Sequence, residues 1–217
     1  MVVRVVVALV AVVVARGSKI SISIKIMLNF VTSNRSKFME VSRILSKHGI
    51  SVVHADIELV EIQDEDIEKV AVAKAEGAYS MLKQSLIVED DGLFIRALRG
   101  FPGVYSSYVF GCIGNEGILK LLDGVDDRYA EFVSVIVYCS DRESMVFKGV
   151  RRGIIADTIR YGRYAGWGYD PIFIPESEEF SYAEMYNRKD ELSHRSIALR
   201  AFIEWYKSRY DIRYSSR

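Results

Sequence analysis

Only two cysteines, Cys112 and Cys139, occur in 217 residues. They are too few for a disulfide framework or a cysteine-built metal site, and a reducing cytoplasm is the expected compartment. Charge of one sign is missing too: 29 Lys and Arg balance 29 Asp and Glu, giving a formal net charge of zero. A general nucleic-acid binder needs a basic face to meet phosphates, so no nucleic-acid partner is expected. Glutamine and asparagine are scarce beside Ile, Val, Tyr and Arg, a bias associated with heat-adapted proteins. After Met27 there is no internal repeat and no low-complexity linker. What is there is half hydrophobic and 27% charged, as globular domains are. The length suits one substantial domain, with room for two lobes.

The one long apolar run, "VVVALVAVVVA" from Val5 to Ala15, follows Arg4. It looks like the apolar region of a signal peptide but is too short to span a bilayer comfortably as a helix, so no membrane partner is expected. A second methionine, Met27, stands directly before "LNFVTSN". Residues 1–26 are therefore expected to be an extension, either a mis-assigned start or a disordered segment. An extra strand or helix packed on the domain, or a targeting segment, are the alternatives. The domain proper is expected over residues 27–217.

Along that domain, Leu28 to Val31 read as a buried first strand, followed by a helix with Phe38, Val41, Ile44 and Leu45 at helical spacing and a stop at Gly49. A short strand over Ser51 to His54 and an exposed connection, "ELVEIQ", come next. Ile67, Val70, Ala71, Ala78 and Met81 mark a long amphipathic helix. A third strand is expected over Leu86 to Val88, then a Gly/Pro turn at "RGFPG" and short helices around Tyr105 to Phe110 and Glu116 to Leu122. Tyr129 to Ser140 and Met145 to Ile155 flank "DRES" as an antiparallel hairpin. "GWGYDPIFIP" leads into a last strand, and a C-terminal helix carries Ile197, Ala201, Phe202 and Trp205 on one face. The fold class is α/β with a mixed parallel and antiparallel sheet.

Four stretches carry chemistry. "TSNRSK", Thr32 to Lys37, lies where a strand passes into a helix, and free N–H groups there favour an anion. Thr32, Ser33, Asn34 and Ser36 add small polar donors and Lys37 a charge; the plain reading is a helix capped by Asn34 or Ser36. The glycines of a P-loop are missing. Glu89, Asp90 and Asp91 crowd three carboxylates together, which raises pKa values unless cations relieve them. A divalent ion such as magnesium would do so, with Glu61 from the connecting loop as a further ligand; a solvated turn is the plain reading. "GWGYDPIF" joins glycines to aromatic faces suited to stacking on a base, although an aromatic turn alone would explain it. "KDELSHRS" sets an imidazole beside a guanidinium, both able to donate to base carbonyls, or else is a Ser193 cap with exposed charges.

In order and spacing, "TSNRSK", "VEDDGLFIRALRGFPGVYSSY", "GWGYDPIFIP" with "SYAEM", and "KDELSHR" resemble the inosine triphosphate pyrophosphatase family. The resemblance runs from Met27 to about Tyr210. It implies an elongated, two-lobed α/β homodimer with a cleft. The implied activity is magnesium-dependent hydrolysis of ITP, dITP and XTP to monophosphate and pyrophosphate. Carried over by residue, Thr32, Ser33, Asn34, Arg35, Ser36 and Lys37 would hold the triphosphate, with Lys74 near a phosphate. Asp90 would be the general base and, with Glu61, a metal ligand. Trp167, Gly168, Tyr169, Asp170, Lys189, Ser193, His194 and Arg195 would meet the nucleotide.

Two residues depart from the resemblance. Asp91 stands where most members have serine, which removes a hydroxyl donor from the expected phosphate contact; support of the metal by Asp91 is the expected replacement. Trp167 stands where phenylalanine is usual and keeps the stacking surface. The competing readings are a Maf-like pyrophosphatase acting on other modified or pyrimidine triphosphates, and a catalytically weak nucleotide-binding module.

Overall fold

The structure, a computed structural model, describes residues 10–16, 19–25, 28–162 and 166–210. Val10–Arg16 (β1) and Lys19–Lys25 (β2) pair antiparallel as a two-stranded sheet of their own. Met27 and the first part of the long apolar run lie outside the described residues.

The remaining strands form one sheet. Leu28–Val31 (β3) leads into Arg35–Ser46 (α1), then Val52–Ala55 (β4), Ile67–Leu82 (α2) and Leu86–Ile95 (β5). Two-residue Pro102–Gly103 (β6) precedes Ser106–Leu121 (α3), then Tyr129–Cys139 (β7), Ser144–Ile155 (β8), Phe173–Pro175 (β9), Tyr186–Leu192 (α4) and His194–Tyr210 (α5). The strand order is β4-β3-β5-β7-β8-β9, with β6 beside β5. β3 is parallel to β4 and β5, reached through the α1 and α2 crossovers, whereas β5, β7, β8 and β9 pair antiparallel. The expected mixed α/β sheet and the β7–β8 hairpin are there.

Alternation along the strands decides which helix covers which face. Leu28, Phe30, Ile87, Ile136 and Tyr138 pack with Val41, Ile44 and Leu45 of α1 and Ala198, Leu199, Phe202 and Ile203 of α5. Their neighbours Val31, Leu86, Val88, Val135 and Val137 meet Ile67, Ala71, Ala75 and Ala78 of α2, whose small alanines let that helix lie close. A third core, with Leu93, Ile95, Phe132 and Phe173, takes in α3 and Tyr169.

Three expectations shift. β5 does not stop at Val88 but continues to Ile95, so the three acids sit inside a strand. α3 is one helical run broken at Gly114, whose φ of 61° and ψ of −164° separate the two expected short helices. The buried stripe of α5 is Ala198, Leu199, Phe202, Ile203 and Tyr206, while Ala201 is exposed. The helix is turned so that its first residues, His194 and Arg195, also point inward.

Candidate active site

Because β5 continues through the acids, successive side chains leave on opposite faces. Glu89 and Asp91 follow Ile87 toward α1 and α5; Asp90 follows Val88 toward α2. Each face supplies cations. On the α2 side, Lys74 Nζ donates to Asp90 Oδ1 at 2.9 Å and lies 2.7 Å from Glu61 Oε1. On the other side, Lys37 is paired with Glu89 Oε2 at 3.0 Å and with Asp91. The Arg195 guanidinium, fully buried, donates from Nε to Glu89 at 3.1 Å, from Nη1 to Glu40 at 2.9 Å and from Nη2 to Asp91 at 2.7 Å. Ser134 Oγ, across on β7, donates to Glu89 at 2.6 Å. Two buried acids, Glu40 and Glu89, and the partly exposed Asp91 thus share two cations in one network.

These partners fix the protonation states. Burial would raise the Asp91 pKa, but Lys37 and Arg195 outweigh it and hold the carboxyl well below the usual range. Burial would lower Lys37 and Arg195, yet the same acids raise both. Asp90 goes the other way: burial raises its pKa, and Lys74 and Lys37 offset that only in part. Its Oδ2 is buried without a hydrogen-bond partner.

The loop from Thr32 to Lys37 lies directly beyond β3. Asn34 caps α1, its Oδ1 accepting from the backbone N–H of Ser36 at 2.9 Å and Lys37 at 3.1 Å, and Thr32 Oγ1 accepts from the Asn34 N–H at 3.1 Å. His54 Nε2 donates to the Thr32 carbonyl at 2.7 Å, tying the loop to β4. The cap reading of "TSNRSK" is met, and the capped helix start faces the cavity.

The opposite wall comes from residues 166–170 and the α4–α5 junction. Asp170 Oδ2 accepts from Lys189 Nζ at 2.7 Å and from the Trp167 N–H at 3.2 Å. The Trp167 ring carries the Lys189 ammonium and the Arg195 guanidinium, each 5.2 Å from its centre. Tyr169 donates its hydroxyl to the Ser106 carbonyl at 3.0 Å, and Asn115 donates to the Gly168 carbonyl. His194 stacks on Phe132, centroids 4.5 Å apart and planes within 7°. Neither ring nitrogen has a hydrogen-bond partner; Nε2 is 3.6 Å from Asp91 Oδ2, beyond bonding reach. Burial lowers the His194 pKa, so the ring is a neutral imidazole with one N–H to give.

Between these walls is a cavity of about 510 Å³. Of the residues the sequence singles out, Thr32, Ser33, Asn34, Lys37, Glu61, Lys74, Asp90, Asp91, Trp167, Gly168, Tyr169, Asp170, Lys189, His194 and Arg195 line it. Arg35, Ser36 and Ser193 lie outside the lining: the first two are exposed on α1, and Ser193 Oγ accepts from the Ser196 N–H as the cap of α5. Asp91 faces away from Asp90 and Glu61, against Lys37 and Arg195, so the support of a metal expected of it has no geometric basis. Sequence reasoning missed Glu40, Phe132, Ser134 and the cavity residues Ser106 and Phe110. Their only signal is tertiary contact, which no local pattern carries.

Among the described residues no group of three or more His, Cys, Asp or Glu side chains is arranged to hold an ion. Asp90 and Glu61 nevertheless fit a hard divalent cation. Both are oxygen donors drawn to one point by Lys74, and Asp90 Oδ2 is an orphan; phosphate and water would supply the other ligands.

The sequence profile of the Ham1 family matches residues 28–205. A dITP/XTP pyrophosphatase of Methanopyrus kandleri is 48% identical over 181 residues, covering 82% of this chain and 95% of that relative. A dITP/XTP pyrophosphatase of Pyrococcus horikoshii is likewise 48% identical, with the same coverage of both chains. The solved Ham1 protein of Staphylococcus aureus superposes with a TM-score of 0.71 at 30% identity, covering 83% of this chain and 99% of that one. That of Coxiella burnetii gives 0.71 at 29% identity, over 84% of this chain and 100% of its own.

Proposed function

The chain belongs to the Ham1 family, and from that premise we propose how its cavity hydrolyses deaminated purine nucleoside triphosphates, ITP, dITP and XTP, to monophosphate and pyrophosphate. The observation that carries the mechanism is that one cavity gathers the loop from Thr32 to Lys37, the acids of β5, the Trp167 loop and the start of α5.

The start of α1 and Lys37 receive the triphosphate, where the positive end of the helix dipole and the Lys37 ammonium meet phosphate oxygens. Asp90 is the general base. Its raised pKa brings it nearer the working range, and the unpartnered Oδ2 is free to accept a proton from water. Glu61 and Asp90 would hold a divalent cation, which we take to be magnesium; when bound it offsets the charge of the departing pyrophosphate. Holding water and α-phosphorus in line then suffices, because pyrophosphate leaves readily.

Trp167 offers the stacking face for the base. His194, neutral and with free ring nitrogens, offers the donor to the 6-carbonyl of hypoxanthine or xanthine. Adenine carries an amino group there and would leave that donor unpaired in a buried site, which discriminates strongly. Arg195, expected as a second donor, is bonded through Nε, Nη1 and Nη2 to three acids. We read it as the rigid floor beneath Trp167.

We also propose a homodimer working in the cytoplasm. Residues 100–115 contain no charged side chain, and Phe101, Tyr105, Tyr108 and Ile113 of that stretch are exposed, the composition of an interface core. Both cysteines are free thiols, and among the described residues no helix is long and apolar enough to cross a membrane.

Pyrophosphate release measured across ITP, XTP, dUTP, ATP and GTP tests the reading, with ITP and XTP expected far ahead. Asp90→Asn keeps the size but removes the proton acceptor and should lower turnover at least about a hundredfold. More than about half the wild-type rate in that variant would remove Asp90 from the role of base.

A further inference from the structure

Resting on the functional reading above, we propose that Asp91 is an internal counter-anion of the cavity: it occupies the charge of Lys37 that an arriving polyphosphate needs, and thereby sets how loosely substrate and product are held.

The network on the α1 and α5 face holds Glu40, Glu89 and Asp91 against Lys37 and Arg195, three anions for two cations. Arg195 already has Glu40 and Glu89, and Lys37 already has Glu89, so charge balance is met without Asp91. The surplus anion is also the one at the cavity surface. The Asp91 side chain is 15% exposed, against 1% for Glu89 and 7% for Glu40. Its two oxygens bridge two elements: Oδ1 holds Lys37, at the start of α1, and Oδ2 holds Arg195, at the start of α5.

A phosphate that reaches Lys37 must share that ammonium with Asp91 or displace it, and in either case meets a like charge at contact range. The repulsion acts equally on the triphosphate that enters and the pyrophosphate that leaves. Such uniform weakening raises KM without touching the chemical step, and it hastens product departure. Asp91 is thus a positioning residue for Lys37, distinct from Asp90 on the other face of the strand.

Calorimetric titration of pyrophosphate and of tripolyphosphate, without divalent cation, into wild type, Asp91→Ser and Asp91→Asn tests this, with melting curves to establish folding. Each folded variant should bind both anions at least about tenfold more tightly, and KM for ITP should fall in parallel while kcat stays level or drops as product release slows. Affinity unchanged or weakened in both variants overturns the inference. Should wild type fail to release pyrophosphate from ITP while the variants bind tighter, the substrate assignment fails and the role of Asp91 stands.

Discussion

Glu40 lies behind the cavity on α1, 5% exposed. Burial alone would raise its pKa, but Arg195, bonded to it, together with nearby Lys189, holds the carboxyl at about 2 against an ordinary 4.5. A carboxyl with a depressed folded-state pKa stabilises the fold fully above its unfolded value and loses that contribution as pH falls toward the folded one. The window here runs from about pH 4.5 down to about 2, and the amount at stake is on the order of 3 kcal/mol. In Glu40→Gln the stability deficit relative to wild type should therefore be large at pH 7 and shrink through that window. Denaturant unfolding of both proteins at stepped pH checks it; a constant gap would mean Glu40 contributes by packing alone. Nothing local in the sequence marks this residue. Lys37, His194 and Arg195 stand out in their motifs, but Glu40 matters only through a partner 155 positions away.

At the scale of elements, the close seat of α5 on the sheet depends on Gly149 of β8. A Cβ there would run into the His194 carbonyl oxygen and come within 2.6 Å of the Ala198 nitrogen, both backbone atoms that cannot step aside. Gly149→Ala should cost about 1–3 kcal/mol or more. It should also lower ITP turnover, since it pushes out the turn that carries His194 and Arg195. Gly77→Ala on α2, where only Leu59 Cδ2 comes within 4 Å, at 3.9 Å, is the control and should shift stability by no more than about 1 kcal/mol. Comparing melting temperatures and rates for the two variants decides the point.

The elements themselves differ in how plainly the sequence shows them. Period-two alternation foretells that Asp90 and Asp91 part company, yet not that β5 runs to Ile95, because three acids interrupt its apolar pattern. What carries the strand onward is cations from α1, α2 and α5, supplied by tertiary contact. α4 is hidden for a related reason. Its three successive residues Arg188, Lys189 and Asp190 are held by Glu178, Asp170 and Arg43, so it leaves no apolar stripe to read.

For the molecule as a whole, the profile match beginning at residue 28 and the separate β1–β2 sheet lead us to treat residues 1–26 as dispensable. A two-stranded hairpin alone is marginally stable. A chain beginning at Met27 should fold and hydrolyse ITP as fast as the full chain; a melting temperature lower by many degrees would show that the hairpin packs on the domain. The larger architecture was legible because helices and strands alternate in order, while the gathering of four distant motifs into one cavity depends on strand order, which no single segment encodes.

β5 and β7 each contribute side chains to all three cores, and the acids sit midway along their pairing, opposite Ile136, Val135 and Ser134. No partial opening can therefore peel this stretch from one end. Its backbone amides are expected to exchange with solvent only when the entire domain comes apart, which hydrogen exchange checks. The Trp167 wall lies outside the sheet, held by the Lys189–Asp170 ion pair, the cation–π contacts on Trp167 and the Tyr169 ring in the third core. The cavity thus has one wall inside the cooperative sheet and one outside it.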